Sequence, residues 1–307
     1  MPRYKVTLSY DGTAYGGWQR QTNTHSIQQE IEAAMEKIEG NFIRITASGR
    51  TDAHVHALGQ VFHFDSAKDL APENWRRALN SLLPHDIRIQ DVCLVEDDFH
   101  ARFHAVSKRY DYLITTDVNN PFYYHYMGKD RKVLDVKRMS ECARVFLGTH
   151  DFTSFTSSKL DPRKSKVKTI TRLDIVQEEH AVRLVFEGNG FLRYMVRMIA
   201  QTLIEAGKHR LDVADVKQML YGQDKHLCRY KAQAEGLYLV HVTYADTKKT
   251  KEYVQNDLLS AGRFSVCRCS QKCTFPFHAC KMWVKESKLL SSPVPRAFKQ
   301  HMIKKQV

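Results

Sequence analysis

Apolar residues at every second position open the chain: Tyr4, Val6, Leu8 and Tyr10 alternate with Lys5, Thr7 and Ser9, the period of a half-buried strand. The period then changes. Ile27, Ile31, Met35 and Ile38 fall on one face of a helix, Ser26 with Gln29 forms a capping box, and Gly40 suits the stop. A strand near 42–47 and another near 58–64 flank a polar turn. Pro72 opens a second helix through Trp75, Leu79 and Leu82, and Ile87 to Val95 reads as a strand. The order is β-α-β-β-α-β.

The same order recurs downstream. Ser107 to Thr115 reads as a strand, and Asp135 caps a helix carrying Val136, Met139, Ala143 and Phe146, closed by Gly148. A hairpin is expected from runs near 168–178 and 181–187. A helix follows from Phe191 to Ala206, then a shorter one after Asp212. Gly236 to Tyr244 is apolar on both faces, which predicts a central strand. Two β-α-β-β-α-β units imply an α/β (α+β) protein of two ferredoxin-like halves joined near residue 105. The expected divisions are 1–104, 105–246 and a remaining extension, 247–307. Such sheets also serve as RNA platforms.

Charge alters this picture unevenly. The 307 residues carry 47 Lys and Arg against 34 Asp and Glu, a net of +13. Residues 247–307 hold 13 of the bases and 3 of the acids, so the body is nearly balanced and must bind any polyanion through local patches. The strongest body patch is Lys159 to Lys168 with Arg172, which is equally compatible with a solvated loop. Cys93, Cys142 and Cys228 read as small buried residues, whereas Cys267, Cys269, Cys273 and Cys280 crowd the tail with His278. That spacing lacks paired Cys-x-x-Cys knuckles, so a basic extension or a replaced natural end is preferred to a zinc site. No apolar run is long enough to span a bilayer, and Met1 to Lys5 leads straight into a strand. The expectation is a cytoplasmic protein with reduced thiols.

The chemistry concentrates in the polar turn Gly49-Arg50-Thr51-Asp52-Ala53-His54-Val55-His56-Ala57. A carboxylate in a loop held between strands can serve as nucleophile or base. Arg193 and Arg197, four apart in the expected helix, could hold it, although spacing alone equally suits solvent-facing charges. Tyr110 within Lys108-Arg109-Tyr110 suits base stacking beside phosphate contacts, or simply an ordinary strand. His54 and His56 would share a face of an extended segment and, with Asp52, offer a weak metal set; His63, His100 and His104 add further histidines without completing one.

An ordered series of motifs resembles the tRNA pseudouridine synthase A family over about 1–246. It runs Tyr10-Asp11-Gly12-Thr13, Gly17-Trp18-Gln19-Arg20-Gln21, Ser48-Gly49-Arg50-Thr51-Asp52-Ala53 and Val55-His56-Ala57. It continues with Phe99-His100-Ala101-Arg102-Phe103, Gly148 to Phe155, Gly190-Phe191-Leu192, Met195-Val196-Arg197 and Gly236-Leu237-Tyr238-Leu239. The resemblance implies the pseudouridine synthase fold, a mainly antiparallel sheet with a central active-site cleft. It implies isomerisation of uridine in the tRNA anticodon stem-loop, at family positions 38, 39 and 40. It makes Asp52 the catalytic aspartate, Arg50 the residue inserted where the base leaves the stack, Tyr110 the partner of the flipped nucleotide and Arg197 the partner of Asp52. It also implies a homodimer acting on tRNA, with no metal and no cofactor.

The family carries glycine where this chain has His54. Either the backbone is ordinary there or the local geometry differs; activity is expected to survive because Asp52 is retained. The alternatives are a non-catalytic RNA-binding protein and a metal-dependent hydrolase using Asp52, His54 and His56.

Overall fold

The alternation at the start of the chain becomes β1 (Arg3–Tyr10), whose even residues Tyr4, Val6, Leu8 and Tyr10 are buried. The structure is a computed structural model and describes residues 1–157 and 165–245. Most of the basic run at 159–168, and the whole tail with its four cysteines, therefore lie outside the described residues. After β1 come α1 (Ile27–Glu39), β2 (Thr46–Ala47), β3 (His56–Asp65), α2 (Pro72–Leu82) and β4 (Ile87–Val95). The downstream part comprises β5 (Ala105–Thr115), β6 (Gly128–Lys129), α3 (Val136–Ala143), β7 (Gly148–Asp151), β8 (Val167–Gln177) and β9 (Val182–Gly188). It ends with α4 (Met195–Gly207), α5 (Val213–Tyr221) and β10 (Leu237–Tyr244). Among the described residues no helix is long and apolar enough to cross a membrane.

All the described strands join one sheet, ordered β4-β1-β3-β10-β5-β9-β8-β7, with β2 on β3 and β6 on β5. The upstream strands stand β4-β1-β3-β2 and the downstream ones β10-β5-β9-β8: fourth, first, third, second in both. Within each set the pairings are antiparallel. The two sets meet at a short parallel seam, where Tyr238 faces His56 and Leu239 faces Ala57. The polar turn ends immediately before His56, so the seam places it at the middle of the sheet. β10 is central, between β3 and β5, and buries Leu237, Tyr238, Leu239 and Val242, while His241 and Thr243 are exposed.

Local chemistry explains most boundaries. The Ser26 hydroxyl accepts the Gln29 N–H, and Gly40, at φ 86°, returns its N–H to the Glu36 carbonyl. Pro72 occupies the first turn of α2, whose Trp75 packs its ring 5.8 Å from that of Tyr4 and 5.0 Å from that of Phe64. Asp212 and Asp215 complete a capping box at α5.

Several expectations are corrected. The strand expected at 42–47 is reduced to Thr46–Ala47, because β3 divides that edge between β10 at residues 56–57 and β2 at 62–63. Phe42 is left exposed. The helix expected from Phe191 begins at Met195, since Tyr194 adopts the left-handed conformation (φ 68°). Arg193 is therefore not on the helix with Arg197. α3 stops at Ala143 and tightens into a 3-10 turn over Arg144–Phe146 that still buries Phe146. Of the body cysteines, Cys142 and Cys228 are buried but Cys93 is half-buried.

Candidate active site

The turn between β2 and β3 is held from below by main-chain and side-chain bonds. The Ser48 N–H donates to the Val61 carbonyl (2.7 Å) and its hydroxyl to Gln60 Oε1 (2.7 Å), while Gln60 Nε2 donates to the Gly49 carbonyl (3.0 Å). Thr51 shares a buried 2.8 Å hydrogen bond with the Tyr10 hydroxyl, and its carbonyl accepts the Trp18 N–H. A Cβ at Gly17 would stand 2.7 Å from the Thr51 carbonyl oxygen, and φ there is 103°; one at Gly12 would stand 2.1 Å from the Val55 carbonyl oxygen. Glycine at both places lets the 11–21 segment press backbone against backbone on the turn.

This packing presents Asp52 half-buried. Its Oδ2 accepts a 3.1 Å hydrogen bond from Arg197 Nη1, and Arg197 Nε donates to the Ala232 carbonyl at 2.9 Å. The Arg197 side chain is only 11% exposed against 23% for Asp52, so the arginine is the fixed member of the pair. α4 delivers it by burying Val196, Ile199, Ala200 and Leu203. Tyr110, on β5 between Leu239 and Phe186, is buried with its ring edge-on to Phe191 at 5.3 Å. Burial pushes its hydroxyl pKa well up, and the nearby Tyr10 and Asp52 add to this, so Tyr110 stays a neutral phenol. The structure thus brings together Asp52, Arg197 and Tyr110 from three distant stretches of the chain. Arg50 is exposed on the same turn, without a partner among the described residues. Arg193 lies apart, against the Tyr194 ring at 4.8 Å.

The segment that carries the two turn histidines is not extended. His54 is left-handed (φ 62°), and its Nδ1 donates to the Thr13 carbonyl at 2.8 Å. The ordinary backbone considered for this position is thus excluded. His56 is buried, stacked 4.7 Å from the Tyr238 ring, with Nε2 donating to the His125 carbonyl. Among the described residues no group of three His, Cys, Asp or Glu side chains is arranged to hold a metal ion.

Sequence reasoning missed two supports. The first is Asp11. Burial alone would raise its pKa, but hydrogen bonds with His56, Thr13 and Tyr126 outweigh this and hold it well below the usual carboxylate range. It ties the 11–21 segment to the seam and to the 121–127 segment. The Tyr10-Asp11-Gly12-Thr13 motif was the available signal. The second is Lys108, whose Nζ donates to the Ser48 carbonyl at 2.6 Å. Nothing in its spacing pointed to this contact.

With the geometry in place, the chain can be compared with known proteins. The family described as tRNA pseudouridine synthase matches residues 7–104 and 142–245. The tRNA pseudouridine synthase A of Listeria monocytogenes serotype 4b is 42% identical over 248 residues, covering 80% of this chain and 100% of that protein. The protein of the same name from Latilactobacillus sakei is 43% identical over 246 residues, 79% of this chain and 98% of its own. That from Anoxybacillus flavithermus is 41% identical over 245 residues, 80% and 99% respectively.

Proposed function

The chain belongs to the tRNA pseudouridine synthase family, and on that premise we propose that it isomerises uridine to pseudouridine in tRNA with Asp52 as the reacting carboxylate. The observation that carries this reading is the Asp52–Arg197 pair, 3.1 Å apart and beside Tyr110, on the turn at the middle of the sheet. The reaction breaks the N1–C1′ bond, turns the base and joins C5 to C1′. The proton on C5 leaves and N1 gains one, so composition is unchanged and no electrons are exchanged. A carboxylate acts on the sugar, at C1′ as a nucleophile or at C2′ as a base. Arg197, fixed by the Ala232 carbonyl, orients it.

A uridine within a stem must leave the stack before its sugar reaches Asp52, which costs a few kcal/mol. Stacking on the Tyr110 ring returns about 1–3 kcal/mol of this. Arg50, exposed and unpaired among the described residues, enters the gap that the base leaves. The substrate region is the anticodon stem-loop, the working form is a homodimer, and a cytoplasmic location follows from the substrate. The family resemblance supports each of these.

Incubation with an unmodified tRNA transcript, followed by mapping of pseudouridine, tests the reading. Conversion within the anticodon stem-loop is expected. Absence of pseudouridine overturns the assignment, and conversion confined to another arm overturns the substrate region.

A further inference from the structure

Lys108 reaches the catalytic turn from β5, in the other half of the sheet. One of its three N–H groups donates to the Ser48 carbonyl at 2.6 Å. The side chain is half-buried, and among the described residues no carboxylate forms an ion pair with it. Its charged neighbours are cations instead: Arg102 from the segment before β5 and Lys168 from β8. The residues opposite it on β10 and β9, Val242 and Gly188, carry no charge. Tyr244 of β10, which also approaches Ser48, is kept neutral by burial. Desolvation, then Arg102 and Lys168, push the ammonium pKa down to about 8. An uncompensated, half-buried cation among like charges is unfavourable to the free protein, and such placements are typical where an anion is to be received.

The turn is shaped around this group. A Cβ at Gly49 would lie 2.9 Å from Lys108 Nζ, with no other atom beyond its chain neighbours within 4 Å. Glycine therefore leaves the ammonium room beside the turn, one residue before the exposed Arg50. We propose that Lys108 is a phosphate-binding residue of the active site: it holds the Ser48 carbonyl with one N–H and offers the others to a phosphodiester oxygen of the RNA strand that carries the target uridine. Binding the substrate then also fixes the base of the turn that carries Asp52. This rests on the reading of the chain as a tRNA uridine isomerase.

The test uses the full chain and an unmodified tRNA transcript, with binding measured across a salt series. Each phosphate contact on a single strand contributes about 0.7 to the slope of log affinity against log salt. Lys108→Met is expected to lower that slope by about 0.7–1, and Lys108→Arg to restore it. Gly49→Ala, which displaces only the end of a flexible side chain, should lose the same increment, with no further loss in the Gly49→Ala/Lys108→Met double variant. In the wild type the slope should diminish as pH rises through about 8, where the ammonium discharges, and stay constant in Lys108→Arg.

An unchanged slope in a folded Lys108→Met protein, even with slower turnover, reduces Lys108 to a clamp on Ser48 and overturns the proposal. If that variant does not fold, a wild-type slope that is constant across the same pH range overturns it equally. Failure of the underlying reading is seen separately, as a wild type that makes no pseudouridine on the same transcript.

Discussion

His54 holds a left-handed backbone, φ 62°. That conformation costs an L-residue about 1–2 kcal/mol, and the Nδ1 bond to the Thr13 carbonyl offsets about 1 kcal/mol of it. His54→Gly removes both terms and adds unfolded-chain entropy, so its stability should stay within about 1 kcal/mol of wild type. His54→Val keeps the strain and loses the bond, and should cost about 2 kcal/mol or more. Urea unfolding of both variants checks this; equal stabilities would show that the backbone strain is absent. Arg197 is the second residue with a sharp expectation. Its planar fork reaches Ala232 and Asp52 at once, which a lysine ammonium does not reproduce. Arg197→Lys should slow pseudouridine formation at least tenfold, about 1.4 kcal/mol at the transition state, and a wild-type rate would contradict the role. The roles proposed for Asp52, Arg50, Tyr110 and Arg197 come from recognisable sequence motifs. The contact of Lys108 with Ser48 was not legible, because the two are 60 residues apart and neither residue's local pattern refers to the other.

The elements that could be read in advance are those long enough to show a period or a cap: β1, α1, β3, α2, β4, β5, α3, the β8–β9 hairpin, α5 and β10. β6 and β7, of two and four residues, are too short to show one, and their pairing is set by β5 and β8. The start of α4 was misplaced because a left-handed tyrosine leaves no mark in an apolar pattern. The contact between the 11–21 segment and the catalytic turn is the element-level feature with the clearest consequence. Gly17→Ala would place a Cβ 2.7 Å from the Thr51 carbonyl at a φ of 103°. It should cost more than about 1 kcal/mol and lower turnover, since Thr51 precedes Asp52. Unchanged turnover would show that the turn does not depend on this packing. His63, on β3, gives a pH expectation. Burial first, then Arg3 and His100, push its pKa down to about 4, and its neutral Nδ1 accepts the Ala101 N–H. The folded state binds this proton less readily than the unfolded chain, so stability is full above about pH 6.5 and lost as pH falls toward about 4. His63→Gln should show a shallower fall in melting temperature over that window; an identical fall would assign the effect elsewhere.

On the scale of the whole molecule, one strand order occurs twice in the sheet, as β4-β1-β3-β2 and as β10-β5-β9-β8. The register at the seam between these two sets pairs only Tyr238 with His56 and Leu239 with Ala57. The stacking of His56 on Tyr238 and the Asp11–Tyr126 bond reinforce that seam, and the turn that carries Asp52 leads directly into it. Residues 247–307 carry most of the net positive charge. Their deletion is expected to leave pseudouridine formation intact while weakening non-specific RNA binding at low salt. A soluble truncation that binds tRNA yet forms no pseudouridine would contradict this. The central claim is that one carboxylate, fixed by Arg197 above the seam, performs the isomerisation. Asp52→Asn keeps the shape of that side chain and removes its charge, so pseudouridine formation on an unmodified tRNA transcript, measured alongside binding, tests the claim most directly. Binding close to wild type with no detectable conversion is expected; substantial turnover by the variant would show that Asp52 is not the reacting carboxylate.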